Sequence, residues 1–170
     1  MQRRSIALRL VLLLALPALV SAETQAQTLE DLRSRFQRET DPVSKAKAFP
    51  KMGDLQLNEV RQLAAQDKFE EALAMLDRYR DDAQLTYDAL KSSRINAERK
   101  PGGFKQLQIH LRRGARNIED TVAALPFEQR QPFAEIQKDV ERLDQLLIEM
   151  LFPRQPGRKD DSKPKKQGAR

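Results

Sequence analysis

The feature that constrains this chain most is an apolar stripe in the stretch 67–99. Apolar residues recur there at alternating steps of three and four, which places them on one face of an α-helix. Asp67 is a suitable N-cap, and Glu70 lies three residues on, where the partner of a capping box belongs. We therefore predict one long amphipathic helix over 67–99. Its stripe consists of Phe69, Ala72, Leu76, Tyr79, Ala83, Tyr87 and Leu90.

Four further stretches show helical periodicity. A short helix begins at Thr28, and a second begins with Asp41 as its cap and Pro42 at the first helical position. The second runs to about Ala65, and its internal Pro50 and Gly53 predict either a kinked helix or two short ones. Two more helices cover 104–125 and 132–152. Their stripes are Phe104, Leu107, Leu111, Ala115, Ile118, Val122 and Leu125, and Phe133, Ile136, Val140, Leu143, Leu147 and Met150.

These helices predict an all-α fold. No stretch shows the period-two alternation that is typical of strands. Short links near 65–68 and 125–132 make the helices that they join antiparallel neighbours. We predict an up-and-down antiparallel bundle of about four main helices plus a short N-terminal helix, over residues 28–152. Gly114 lies beside the stripe of its helix, where a missing side chain permits close helix approach at a helix cost of ~1 kcal/mol.

The apolar signal of the long helix fades between Ser92 and Lys100, before Pro101-Gly102-Gly103. We therefore expect its last turns to overhang the bundle. The overhang carries Arg94, Arg99 and Lys100, which we single out as a candidate partner surface. The alternative is an extended, solvated helix end.

Residues 1–22 have the pattern of a secretory signal peptide. A basic start precedes an apolar run, and small residues precede Glu23. The run is shorter than the ~20 apolar residues that a membrane span needs. We predict cleavage between Ala22 and Glu23, a flexible leader over 23–27, and export to the periplasm or the medium. The sequence leaves Sec and twin-arginine export open.

The net charge of +6 is unevenly distributed. The predicted signal contributes three arginines and residues 153–170 contribute a net +5, so residues 23–152 carry −2. A slightly acidic body argues against nucleic acid as a partner. We predict that the tail over 153–170 is disordered. It offers cations to an anionic membrane or cell-wall polymer: Arg158, Lys159, Lys163, Lys165, Lys166 and Arg170.

The chain contains no cysteine and one histidine, His110. Thiol chemistry is excluded, and a transition-metal site is disfavoured, so we expect no metal and no cofactor. His110 lies about a quarter turn from the centre of its stripe, which predicts a boundary or exposed side chain. Carboxylate pairs such as Glu119-Asp120 occur without the Glu-x-x-His motif of di-iron bundles. We find no nucleophile elbow or phosphate loop, so no catalytic residue is assigned.

Two stretches resemble known families. Residues 55–87, with Phe69, Ala72 and Leu76 at matching positions, resemble a single tetratricopeptide-type helical hairpin, which implies a protein-binding scaffold. Residues 125–130, LeuProPheGluGlnArg, resemble the Leu-Thr-x-x-Gln-Arg motif of periplasmic helical stress proteins and chaperones of the Spy/CpxP kind. Pro126 stands where that motif has threonine.

Three functions follow as expectations, in this order. The first is an exported, non-enzymatic helical protein that acts through protein–protein contacts, as an adaptor, accessory or chaperone-like subunit. The alternative is an envelope-surface binder that uses the basic tail on anionic lipid or polymer. A carboxylate-based enzyme is third. The partner and the oligomeric state stay open.

Overall fold

The computed structural model describes residues 29–153. The predicted signal peptide, the leader and the cations of the tail lie outside these residues. The described part contains helices and no strand, so the all-α prediction is confirmed. The helices are α1 (29–38), α2 (Pro42–Ala65), α3 (Phe69–Ser92), α4 (Gly102–Ala124) and α5 (Arg130–Leu151), with a short 3₁₀ turn at Phe127–Gln129 before α5.

Two antiparallel hairpins make up the bundle. Helix α2 packs on α3, α4 packs on α5, and the hairpins lie side by side, with α2 beside α4 and α3 beside α5. The consecutive helices α3 and α4 touch little, so they lie across the diagonal. Gly103, at the start of α4, lies close to Val43 and Leu90. The α3–α4 connection therefore shares one end of the bundle, the loop end, with the start of α2. The two hairpin turns form the opposite end, the turn end.

The predicted stripes form the core. All stripe residues of α3 from Ala72 to Leu90 are buried, as are those of α4 except the half-buried Val122. Helix α1 adds Phe36, whose ring centroid lies 5.9 Å from that of Phe49. No helix within residues 29–153 combines the length and the apolarity that crossing a membrane requires.

Helix α2 is one helix and not two, because it continues through Pro50. Its predicted start is confirmed. The backbone N–H of Ser44 donates to Asp41 Oδ2 over 2.7 Å, and Pro42 takes the first position. The hydrogen bonds from Ser44 hold the pKa of the Asp41 carboxyl below its usual value.

The predicted start of the long helix is wrong, because Asp67 does not cap α3. It has φ 59° and terminates α2 instead. Asp67 N donates to Ala64 O over 3.1 Å, and Lys68 N donates to Leu63 O over 3.0 Å. This pair of bonds is a Schellman motif with Asp67 in its left-handed position. Asp67 therefore closes the preceding helix, and α3 begins two residues later without a side-chain cap.

The predicted overhang is also wrong. Helix α3 ends at Ser92, and residues 93–101 form a loop. Ser93 Oγ donates to Leu90 O over 2.6 Å, and Arg94 has φ 55°. The loop then folds back on the bundle, since Ala97 is buried and Ile95 packs against the core. Ile95 and Ala97 therefore pack on the bundle, and this stretch covers the core instead of extending α3 beyond it.

Candidate functional site

An open pocket of about 570 Å³ lies at the turn end, between the ends of α2 and α4 and the start of α3. Three small residues, Ala64, Ala65 and Ala124, leave the space that larger side chains would fill. Phe69, Leu125 and Pro126 supply the rest of its apolar lining. The polar lining is Arg61, Asp67, Asp120 and Thr121.

The pocket lies in an acidic environment. Residues 67–71 and 119–128 carry six carboxylates and one lysine, and Arg61 adds one cation to the lining. Asp67 and Asp120 are exposed, and neither forms an ion pair with another residue in the described range. Phe127, the residue after Pro126, is 80% exposed. An apolar surface beside unpaired carboxylates suits an apolar group that is flanked by cations.

Hydrogen bonds hold the two hairpin turns that border this pocket. The Schellman motif at the end of α2 places Asp67 in the first hairpin turn, where it lines the pocket. At the second turn Arg130 Nε donates to Leu125 O over 2.9 Å, and its Nη2 donates to Ala123 O over 3.2 Å. The guanidinium thereby satisfies carbonyls at the end of α4, which the helix itself leaves unpaired. The turn that presents Pro126 and Phe127 is held by this contact.

A second cluster lies at mid-height, where the two hairpins meet. The Tyr79 and His110 rings lie 5.8 Å apart, and Phe49 meets His110 edge-on at 5.1 Å. Two glycines face these rings. A Cβ on Gly53 would lie 2.6 Å from His110 Nε2, and a Cβ on Gly114 would overlap Tyr79 Oη. The glycines therefore permit the close approach of α2 and α4 to the rings, as predicted for Gly114.

His110 is 2% exposed, so the prediction of a boundary or exposed side chain is wrong. Burial lowers the pKa of His110 to about 4, Asp54 opposes this, and Arg113 adds to it. Nδ1 lies 3.6 Å from Asp54 Oδ1 and 3.5 Å from Arg113 Nη2, and these two charged side chains pair with each other at 3.0 Å. His110 is thus a neutral, buried ring beneath an exposed ion pair.

The cluster contains two buried polar atoms, His110 Nε2 and Tyr79 Oη, that lack a hydrogen-bond partner among the described residues. Burial also raises the pKa of the Tyr79 hydroxyl. A Cβ at Gly53 or Gly114 would overlap one of these atoms, so each ring packs close to a glycine of the neighbouring helix. We interpret this cluster as a packing node between the hairpins.

Two carboxylates are buried, one in each hairpin. Gln56 Nε2 donates to Asp82 Oδ2 over 2.9 Å, and Gln108 Nε2 donates to Asp144 Oδ1 over 2.6 Å. Burial raises the pKa of Asp82. No group of three or more potential metal ligands occurs within residues 29–153. Each buried carboxylate thus has a neutral amide partner from the other helix of its own hairpin.

The predicted partner surface lies on the 93–101 loop. Arg94, Arg99 and Lys100 are all exposed there, at the loop end. The six predicted tail cations lie outside the described residues. Sequence reasoning missed the turn-end pocket, although its small residues Ala64, Ala65 and Ala124 stand next to both hairpin turns. That recurrence of alanine at two helix ends was the available signal.

The comparisons with known proteins add no family. No family model matches the chain, and neither a curated protein nor a solved structure is detectably similar to it.

Proposed function

We propose that this protein is an exported, non-enzymatic helical bundle that acts through protein–protein contact, with the turn-end pocket as its contact surface. It would serve as an adaptor, accessory or chaperone-like subunit. The observation that carries the proposal is the apolar pocket of about 570 Å³ with two unpaired carboxylates in its lining. Pockets that are mostly apolar with a few polar groups are typical of binding sites.

The charge of the pocket selects its partner. A polypeptide segment that presents one apolar anchor flanked by Lys or Arg would fill the alanine-lined space and pair with Asp67 and Asp120. A segment with flanking carboxylates would meet the six carboxylates of this end instead. The pocket is lined by residues of both stretches that resemble protein-binding families, 55–87 and 125–130.

A binding assay with two synthetic amphipathic peptides tests this function. One peptide combines leucine with lysine, and the other keeps the leucine pattern with glutamate in place of lysine. We expect the mature chain from Glu23 to bind the Leu/Lys peptide at least about tenfold more tightly, by isothermal titration calorimetry. Ala124→Trp fills the pocket and should abolish this preference. Ala123→Trp is the matched control, since Ala123 is exposed on the same helix and does not line the pocket.

Equal binding of the two peptides, or equal loss in Ala123→Trp and Ala124→Trp, would contradict the proposal. Sedimentation of the chain alone tests a different occupant. If the chain self-associates and Ala124→Trp makes it monomeric, then a second copy fills the pocket and a separate partner is excluded.

Replacing Asp67 by glycine should separate stability from binding. Glycine accepts a φ of 59° without the steric cost that a side chain carries, so the free energy of unfolding should stay the same or rise by up to about 1 kcal/mol. The variant lacks one pocket carboxylate, so it should bind the Leu/Lys peptide several-fold more weakly. Urea denaturation and calorimetry on the same sample measure both effects. A variant that binds as tightly as the parent would remove Asp67 from the contact surface.

A further inference from the structure

The loop end of the bundle carries the opposite charge to the turn end. Residues 91–105 contain five Lys or Arg side chains and one carboxylate, and all six are exposed. Three of the cations are Arg94, Arg99 and Lys100, and none of these forms an ion pair with a described residue. The acids near this end are Glu39 and Asp41 before α2, Asp88 on α3 and Glu149 on α5. Lys45 and Lys47 in the first turns of α2 add two further cations, so the net charge of the loop end stays positive. The bundle is therefore polarised along its length.

An exposed aromatic side chain lies at the same end. Phe152, directly after α5, is 74% exposed. Two contacts show where it lies. Asp144 accepts a hydrogen bond from Gln108, and Leu146 lines the same groove as Lys91, near the end of α3. The residues of α5 that follow Leu146 therefore extend toward the 93–101 loop. The sequence after Phe152 adds seven Lys or Arg and two Asp in residues 153–170. Cations and an unburied phenyl ring thus share one end.

We propose that the loop end docks on the surface of an anionic lipid bilayer. Arg94, Arg99 and Lys100 would pair with lipid phosphates, and Phe152 would insert among the headgroups, where the chain leaves the bundle. This combination is typical of proteins that lie on membrane surfaces, because aromatic rings partition into the interface and each nearby Lys or Arg strengthens binding to anionic lipid. An anionic polymer would use the cations and leave the phenyl ring without a role.

This surface goes beyond the protein-contact function, because it lies at the opposite end of the molecule. The 24 residues of α3 separate the ends by roughly 35 Å at about 1.5 Å per residue. A bundle docked by its loop end would therefore present the turn-end pocket away from the lipid. Either surface can fail its test without affecting the other.

Vesicle co-sedimentation of the chain from Glu23, with residues 154–170 retained, tests the proposal. Phosphatidylcholine vesicles with and without phosphatidylglycerol are compared at low and high salt. We expect binding only to the anionic vesicles, and weaker binding at high salt. The triple variant Arg94→Gly, Arg99→Gln, Lys100→Gln should lose roughly a hundredfold in affinity, at about fivefold per cation. Glycine at position 94 also suits the φ of 55° there, so the fold is expected to survive.

Two matched controls separate location from net charge and apolarity. The variant Lys68→Gln, Arg116→Gln, Lys138→Gln removes three exposed cations elsewhere on the bundle and should retain most of the affinity. Phe152→Ser should weaken binding to anionic vesicles, whereas Phe127→Ser, at the turn end, should not. Circular dichroism of each variant checks the fold.

Three results would overturn the inference. Equal loss in the two triple variants would show that only net charge matters. Full affinity in the loop triple variant, together with complete loss on deletion of 154–170, would assign binding to the tail alone. An unchanged affinity of Phe152→Ser, with polyphosphate competing as well as anionic lipid, would point to a polymer.

Discussion

Replacing Gly114 by alanine is expected to lower the free energy of unfolding by about 2–3 kcal/mol, even though alanine is the better helix former by ~1 kcal/mol. The new Cβ would overlap Tyr79 Oη, and Tyr79 is fully buried, so its ring has nowhere to move. Helices α3 and α4 would have to separate at the node that joins the hairpins. Urea denaturation of parent and variant measures the loss.

Two companion variants identify the overlap as the cause. Gly102→Ala is the control, because nothing lies within 4 Å of a Cβ at that position, and it should cause no loss. Tyr79→Phe removes the hydroxyl, which has no hydrogen-bond partner among the described residues, and should be neutral or stabilising. In that background Gly114→Ala should cost less than about 1 kcal/mol, the Cζ contact being 3.3 Å. If Gly114→Ala lowers the free energy of unfolding by about 2–3 kcal/mol in the Tyr79→Phe background as well, the overlap with the hydroxyl is not the cause.

The stability of the protein should fall as the pH falls from about 6.5 to about 4, and His110 should account for roughly 3 kcal/mol of the loss. Burial lowers the pKa of His110 to about 4 from an ordinary value of 6.5. Between these two values the unfolded chain binds a proton that the folded chain does not. Protonation therefore favours unfolding in this window, and stability returns as the pH rises through it.

A His110→Leu variant isolates this effect, because the chain has no other histidine. The groups around the ring are Asp54 on α2, Tyr79 on α3 and Arg113 on α4, and all three remain in the variant. The raised pKa of Asp82 acts in the opposite sense at low pH and is also common to both proteins. Urea midpoints at successive pH values should show the His110 slope in the parent alone. Parallel profiles would mean that the ring is not buried as described.

Sequence periodicity was sufficient to predict the helices and most of the core. Each stripe reports one face of one helix, and burying that face is the main requirement of a bundle. The periodicity also predicted that Gly114 permits close packing, because a glycine beside an apolar stripe lies where a neighbouring helix approaches. It failed for His110, since α4 contacts both α2 and α5 and buries a wider face than a single stripe. Which neighbours a helix has is a long-range property.

The ends of α3 show the same limit. A polar residue between two helices can terminate the preceding helix or cap the following one. The Asp67–Glu70 spacing fits a cap for α3, and nothing in the sequence shows that Asp67 terminates α2 instead. At the other end Ile95 and Ala97 looked like scattered apolar residues, and only the folded bundle gives them a surface to cover. The pocket was missed for a related reason. Its two walls are at least 51 residues apart in the chain, and alanines at two helix ends do not show by themselves that those ends meet.

The central claim is that function resides at the two ends of the bundle and that each end has its own ligand. The chain contains no tryptophan, so a single Phe127→Trp or Phe152→Trp substitution reports on one end alone. We expect the indole emission of the Phe152→Trp variant to shift to shorter wavelength with phosphatidylglycerol vesicles and to stay unchanged with the Leu/Lys peptide. The emission of the Phe127→Trp variant should respond to the peptide and ignore the vesicles. Reporters that respond alike to both ligands, or to neither, would contradict the claim.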